Sequence, residues 1–249
     1  MILVVSDVHL GYDKCNRDEF LDFLNKYQGT EIDHLVLLGD IFDFWRCNNA
    51  KVVEKNDDIM VKINALNAKN IHYIAGNHDY YLLDLNKRYT YPFIVSKYLR
   101  LEEGEKSFFF VHGHELEAIL WEFPTSLETY EKLSNQMCFN KDATGQILSK
   151  IWDIKGFLDK RRFSKDMDKE PNQRKNIDKV YNFAVSSGKY FLLGMKPDEN
   201  LVFGHTHRPF INQDKTVVNT GSWVDELPSK DYQNSYVEIQ DGQIKLKFF

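Results

Sequence analysis

Six of the eight histidines in this 249-residue chain sit in short clusters with an aspartate, an asparagine or another histidine. In chain order the clusters are Asp7-Val8-His9, Gly39-Asp40, Gly76-Asn77-His78-Asp79, His112-Gly113-His114 and Gly204-His205-Thr206-His207. Only His34 and His72 lie elsewhere. Carboxylate and amide oxygens mixed with imidazoles suit divalent ions such as Mn²⁺, Fe or Zn²⁺, and not Cu(I) or an iron–sulfur cluster. Seven such donors exceed what one catalytic ion with an open position takes. They match two ions sharing a carboxylate, a pair typically ~3.5–4 Å apart that serves in-line displacement at phosphorus.

The elements that must position these residues are legible nearby. Short apolar runs at 2–5, 35–38 and 71–74 each end at one of the clusters. Between them, 17–27 and 52–68 carry apolar residues at helical spacing (Phe20, Leu21 and Leu24; Ile59, Ile63 and Leu66). Strand–helix alternation of this length implies β-α-β units and a buried, largely parallel sheet. In such sheets ligands gather beyond the carboxyl ends of the strands, so the clusters are expected on one rim. A fourth run, 107–111, ends at His112. From 115 to about 188 the pattern turns helical, and strands resume at 201–203 and 216–219. A closing pair, 236–239 and 244–248, is joined across Asp241-Gly242, a strong hairpin signal. The layout is an α/β body, one domain over 1–249, with a helical insertion at about 115–188.

Taken singly, Asp-x-His or Gly-Asp at a strand end is ordinary hydrogen-bonding chemistry. Two histidines flanking one residue have few structural uses, and all five groups in this order argue together for a site. The ordered set resembles the calcineurin-like metallophosphoesterase superfamily from the first strand to the last third of the chain. That resemblance implies a four-layer α/β body, a β-sandwich flanked by helices, with the site at one edge. It assigns Asp7, His9 and His207 to one ion and Asn77, His112 and His205 to the other, with Asp40 bridging. It makes His78 the donor of a proton to the leaving oxygen, with Asp79 holding its imidazole, and Asn77 also faces substrate. His114 has no universal counterpart and reads as a substrate-facing or supporting residue. The glycines Gly39, Gly76, Gly113 and Gly204 sit where backbone passes close to the ions. The segment Asn219-Thr220-Gly221-Ser222-Trp223 is similar to the loop that buttresses the metal loops in this superfamily.

Residues 39–45 and 204–209 are similar to the branch that contains the lipid A pathway's UDP-diacylglucosamine pyrophosphohydrolase. Arg208 would then contact a phosphate. That branch also carries a helical insertion, matched here by an amphipathic stretch at 147–163 that ends in Lys160-Arg161-Arg162. The stretch reads either as a helix packing on its own domain or as a lid meeting an acyl chain or membrane surface. The chain departs from the branch at His78, where the lipid enzyme carries Arg, and at His114, where it carries Asp. The expected activity is hydrolysis of a phosphodiester or pyrophosphate, with a lipid- or nucleotide-linked substrate. Monoesters, cyclic nucleotides and nucleic acid are the alternatives.

Composition narrows the field. The net charge of -5 speaks against general affinity for nucleic acid. Three separated cysteines, Cys15, Cys47 and Cys138, indicate neither a disulfide framework nor a thiolate zinc site. No apolar run approaches the ~20 residues needed to span a bilayer, and residues 1–7 lack the features of a secretion signal. The chain reads as cytoplasmic, with peripheral membrane contact through the insertion as its one route to lipid. A non-catalytic scaffold predicts lost ligands, and none of the seven is missing.

Overall fold

Residues 1–120, 126–139, 179–227 and 232–249 are described by the computed structural model. Strand β1 (Ile2–Val5) sets the layers. Its four side chains are all fully buried, which requires an apolar layer on each face. Successive side chains point to opposite faces. Ile2 and Val4 join Val36, Leu38, Phe108, Phe110, Val202 and Val218 in a core between two sheets. Leu3 and Val5 pack instead with Phe20, Phe23, Ile59 and Ile63.

In the first sheet, β2 (Ile32–Leu38), β3 (Ala68–Ile74) and β4 (Ile94–Ser96) continue parallel from β1. On the other side of β1, β10 (Ser235–Gln240) and β11 (Gln243–Phe248) run antiparallel as a hairpin, giving the order β11-β10-β1-β2-β3-β4. Asp241 and Gly242 at its tip have φ of 52° and 68°, the positive pair that a tight hairpin turn demands. The second sheet contains β5 (Tyr98–Glu103), β6 (Lys106–Val111), β7 (Glu199–Phe203), β8 (Phe210–Ile211) and β9 (Val217–Asn219), in the order β5-β6-β7-β9-β8. Its β6, β7 and β9 are mutually parallel.

Helices α1 (Arg17–Tyr27) and α3 (Asp57–Ala65) cover the outer face of the first sheet. Phe109, Val111, Leu201 and Phe203 on the second sheet's outer face pack on Leu116 of α4 (His114–Leu120) and on Val180 and Ala184 of the helix Lys179–Val185. The result is the expected sequence of helix, sheet, sheet and helix layers.

Three local readings differ from the structure or fall outside it. The helical pattern at 52–68 is two helices, α2 (Asn49–Lys55) and α3, broken at Asn56. There the amide donates to the Val52 carbonyl at 2.7 Å and accepts from Arg17 at 2.9 Å. The short β4 and the edge strand β5 carried no readable signal, because β5 alternates half-buried with exposed residues and includes three charges. The amphipathic stretch 147–163 lies outside the described residues. Among the described residues, no helix is long and apolar enough to cross a membrane.

Candidate metal centre

Strands β1, β2, β3, β6 and β7 deliver their terminal residues to one rim, where the loops are stitched to each other by backbone bonds. Asp7 N donates to Gly39 O at 3.0 Å, His9 N to Asp40 O at 2.9 Å, and Gly204 N to His112 O at 2.8 Å. The chain turns abruptly at this rim. Asp7, His9, Asp40, His205 and His207 all have φ between 52° and 65°, five of the eight non-glycine residues with positive φ among the described residues. Each such residue costs about 1–2 kcal/mol in the left-handed region, so backbone strain is concentrated where the polar clusters converge. Two glycines make the convergence sterically feasible. A Cβ on Gly39 would lie 2.4 Å from His112 Nδ1, and one on Gly76 would lie 2.2 Å from Asp40 Oδ1.

Two groups of side chains face each other across Asp40. In one, Asp7, His9 and His207 bring ligand atoms together; in the other, Asp40, His112 and His205 do so. His9 Nε2 lies 3.0 Å from His207 Nε2, and His207 Nε2 lies 3.4 Å from Asp7 Oδ1. Asp40 Oδ2 lies 3.2 Å from His112 Nε2 and 3.8 Å from His9 Nε2. Asp7, Asp40 and His112 are at most 2% exposed. Asn77 is 3% exposed, and its Oδ1 has no hydrogen-bond partner. Asp7 Oδ1 and His112 Nε2 are likewise without a hydrogen bond. Unpaired buried acceptors of this kind are costly.

The outer partners explain which ring nitrogen faces inward. His112 Nδ1 donates to Leu38 O at 2.8 Å, His9 Nδ1 to Asp43 Oδ2 at 3.3 Å, and His207 Nδ1 to Glu226 Oε2 at 3.3 Å. Carbonyl and carboxylate oxygens only accept, so each Nδ1 carries a hydrogen and each Nε2 is the ring nitrogen turned toward the centre, where it offers a lone pair once its own proton is displaced. His205 is oriented the other way round, with Nε2 on Glu117 Oε2 at 2.6 Å. Inward-facing imidazole nitrogens, orphaned carboxylate and amide oxygens and the buried Asp40 carboxylate form a donor set that fits divalent cations.

The electrostatics agree. Burial opposes ionising Asp40, yet His112 and His78 hold its carboxyl well below the usual range. Burial equally opposes charging His112, but Asp40 and Asp7 push its imidazole up to about 10. Burial also works against His207, which Asp7 and Glu226 raise to about 9. Asp7, Asp40 and Glu226 therefore favour positive charge here, carried by imidazolium protons or by a cation that displaces them.

A third group, His9, Asp43 and His78, also brings ligand atoms together. Its Asp43 is engaged by the Arg46 guanidinium as well as by His9 and His78. A cation already in contact makes this a hydrogen-bonded cluster and a poor third metal position.

The anticipated role of Asp79 needs correction. Its carboxylate accepts from Tyr73 Oη at 2.6 Å, Gly76 N at 2.7 Å and Ile41 N at 2.9 Å, bracing the two loops from below. Burial and the neighbouring Asp40 raise it to about 6. His78 instead places Nδ1 3.1 Å from Asp43 Oδ1 and stacks on Trp45 at 4.0 Å between ring centroids. Adjacent side chains diverge at this bend, so Asp79 turns toward the core while His78 faces the rim. Asp43, Glu117 and Glu226 had no role in the sequence reading, since each meets its imidazole only through the folding of the chain, at separations of 35, 88 and 19 residues. His114 is 1% exposed with neither ring nitrogen hydrogen-bonded, and it stacks on Tyr130 at 5.7 Å. Burial, then His112 and His205, hold it well below the normal histidine range, so it stays neutral behind the rim. Arg208 is half-buried beside His207.

The loop at 219–223 occupies the position anticipated for it. Trp223 N donates to Asp7 O at 3.0 Å, Asn219 Nδ2 to Gly204 O at 2.6 Å, and Ser6 Oγ meets Thr220 Oγ1 at 2.5 Å.

The family model for calcineurin-like phosphoesterases matches residues 1–209. The chain belongs to the calcineurin-like phosphoesterase family. No curated protein sequence matches it. Among solved structures, a dimetal phosphatase from Danio rerio is 14% identical with a TM-score of 0.52, covering 99% of this chain and 94% of its own. That likeness extends the shared architecture beyond residue 209. A novel archaeal phosphodiesterase is 13% identical with a TM-score of 0.43, covering 100% of this chain and 99% of its own. The E. coli phosphoesterase YfcE is 16% identical with a TM-score of 0.42, covering 99% of this chain and 97% of its own. As a calcineurin-like phosphoesterase, the chain has clusters able to hold the divalent metals on which this family depends.

Proposed function

We propose that the protein is a binuclear metal-dependent hydrolase of phosphodiester or pyrophosphate bonds. The observation that carries this reading is the position of Asp40, whose Oδ2 faces His112 and His9 at 3.2 and 3.8 Å, between two separate donor groups. Asp7, His9 and His207 would hold one ion, and Asn77, His112 and His205 the other, with Asp40 shared. Mn²⁺ is the first choice, with Fe or Zn²⁺ compatible with the same imidazole and oxygen donors. Bound divalent cations supply charge neutralisation at the phosphoryl oxygens and a water of lowered pKa.

The chain's own contribution to proton transfer centres on His78. With Nδ1–H committed to Asp43, His78 Nε2 is the atom that gives its proton to the departing oxygen. Trp45 against one ring face and Asp43 at one ring edge limit the ring's rotation, so the proton is delivered along one direction. Arg208 and the Asn77 amide are substrate-side contacts for the phosphoryl oxygens. His114 acts from behind, packing against the His112 and His205 rings. His78 stands where the lipid-pathway branch carries Arg and restores the general pattern of the superfamily, so the reading extends to phosphodiesters outside that branch.

The test is hydrolysis by chelator-stripped protein with Mn²⁺ added back, on bis(p-nitrophenyl) phosphate and on p-nitrophenyl phosphate. Manganese-dependent diesterase activity is expected. A preference for the monoester would overturn the diester assignment, and inert protein with full metal loading would overturn the hydrolase reading. His78→Ala should retain metal and slow substrates with poor leaving groups far more than activated aryl esters. Equal losses on both would remove His78 from the proton-transfer step.

A further inference from the structure

The carboxylates that orient the ligand imidazoles are divided unequally between the two donor groups. In the first group His9 Nδ1 meets Asp43 and His207 Nδ1 meets Glu226, and Asp7 adds a carboxylate of its own. In the second group Asp40 is shared, Asn77 is an amide, and His112 Nδ1 turns to the Leu38 carbonyl. Among the described residues, Glu117 is the one carboxylate outside the centre bonded to an imidazole of this group. Its Oε2 lies 2.6 Å from His205 Nε2. An ion held by neutral donors and one shared carboxylate gains more from a further negative charge than an ion with several of its own.

The contact also decides which ring nitrogen is offered. A carboxylate only accepts, so His205 carries a hydrogen at Nε2, and Nδ1 is the nitrogen left to give a lone pair to an ion. Glu117 is held firmly for this task. Helix α4 starts on the metal loop, where Gly113 O accepts from Leu116 N at 3.1 Å and from Glu117 N at 3.4 Å. Leu116 and Ala118, on either side of Glu117 in the chain, are buried. The Glu117 side chain is 30% exposed, against 0% for Asp43 and 7% for Glu226. Truncating it therefore leaves no large cavity, and alanine suits a helix.

We propose that Glu117 is a positioning residue for the second ion. It holds His205 with Nδ1 toward the metal and makes the affinity of that ion depend on a helix outside the metal loops. The proposal rests on the two-ion reading and deepens it, since it gives the two ions separate controls.

The experiment titrates chelator-stripped full-length protein with Mn²⁺, following bound metal by electron paramagnetic resonance. Proton–nitrogen correlation spectra of the Zn²⁺-loaded protein then tell the two ring nitrogens of His205 apart. Wild type should bind two ions and show His205 with its hydrogen at Nε2 and zinc at Nδ1. In Glu117→Ala the Kd of one ion should rise about 10–100-fold while the other is unchanged, and the His205 Nε2–H signal should weaken. Glu117→Gln keeps an acceptor at the same reach, so it should restore that signal and tighten the weakened site. Zinc at Nε2 in wild type, or the same two Kd values in wild type and Glu117→Ala, overturns the positioning role. So does Glu117→Gln matching Glu117→Ala in both readouts. A wild type that binds a single ion overturns the two-ion reading and this proposal with it. Neither readout uses turnover, so a failure of the hydrolase reading is told apart by activity alone.

Discussion

Replacing Asp43 with asparagine probes how the metal centre is held, because the change is nearly isosteric and removes one charge from a fully buried position. Asp43 accepts from four donors. Oδ1 takes His78 Nδ1 at 3.1 Å and Arg46 N at 3.0 Å, while Oδ2 takes His9 Nδ1 at 3.3 Å and the Arg46 guanidinium. Burial opposes its ionisation, yet His78, His9 and Arg46 hold its carboxyl well below the usual range. An amide has one acceptor oxygen. The backbone N–H of Arg46 cannot change its role, so the amide oxygen must stay on that side, and the NH₂ then meets His9 Nδ1–H and the guanidinium. Two charge-assisted bonds are lost, each typically about 1.5–3 kcal/mol. The Arg46 side chain is 24% exposed and recovers part of this from water, leaving a net loss of about 2–3 kcal/mol. The second consequence is at the metal. His9 escapes the clash by moving its hydrogen to Nε2, the atom that faces Asp7 and His207. Loss of such an outer partner typically weakens metal binding about 10–100-fold. Urea denaturation reads the first effect, and Mn²⁺ titration of stripped protein against a chelator reads the second. The titration should show one weakened site and one close to wild type. A stability loss under about 1 kcal/mol with both sites within threefold of wild type would refute the argument that Asp43 fixes the His9 tautomer.

Other perturbations test other parts of the structure. Gly39→Ala puts a methyl group against the His112 ring at a residue with φ of +85°; the backbone alone costs about 1–2 kcal/mol, and metal titration should show loss at the ion held by His112. Phe23→Ala removes a fully buried ring that packs on Tyr27, Trp223 and Tyr236 and should cost about 3–5 kcal/mol in urea denaturation. Burial and the adjacent His34 push His72 from 6.5 down to about 4. The unfolded chain therefore takes up this proton first, and stability is lost as pH falls from 6.5 toward 4. Allowing for solvent screening, the loss is about 1–2 kcal/mol. It should appear as a pH-dependent difference between wild type and His72→Gln over that window, and parallel curves would count against it.

The four-layer body and most of the centre were legible in the chain because they depend on local, periodic information. Runs such as 2–5 and 35–38, each ending in a polar cluster, reveal both the strand and the rim on which its last residue stands. Two histidines one residue apart, as at His205 and His207, narrow the chemistry before any packing is known. The division of the 52–68 pattern at Asn56 was not legible, because it depends on Arg17 reaching across from another helix. Edge strand β5 was hidden for a similar reason, since its pairing with β6 is satisfied by backbone bonds that no side-chain pattern announces.

The residue types of the centre are thus a property of the sequence, whereas the hydrogen bonds that orient them are a property of the fold. Sequence position alone suggested that Asp79 holds its neighbour His78. In the folded chain the bend after Gly76 turns Asp79 inward to Tyr73, and Asp43, thirty-five residues away, takes the imidazole. Glu117 and Glu226 reach His205 and His207 from an α-helix and a loop at separations of 88 and 19 residues. The physical reason is distance along the chain. Strand ends and ligand spacing are set within a few residues of each other, but which acid meets which ring nitrogen is decided only when separate layers pack.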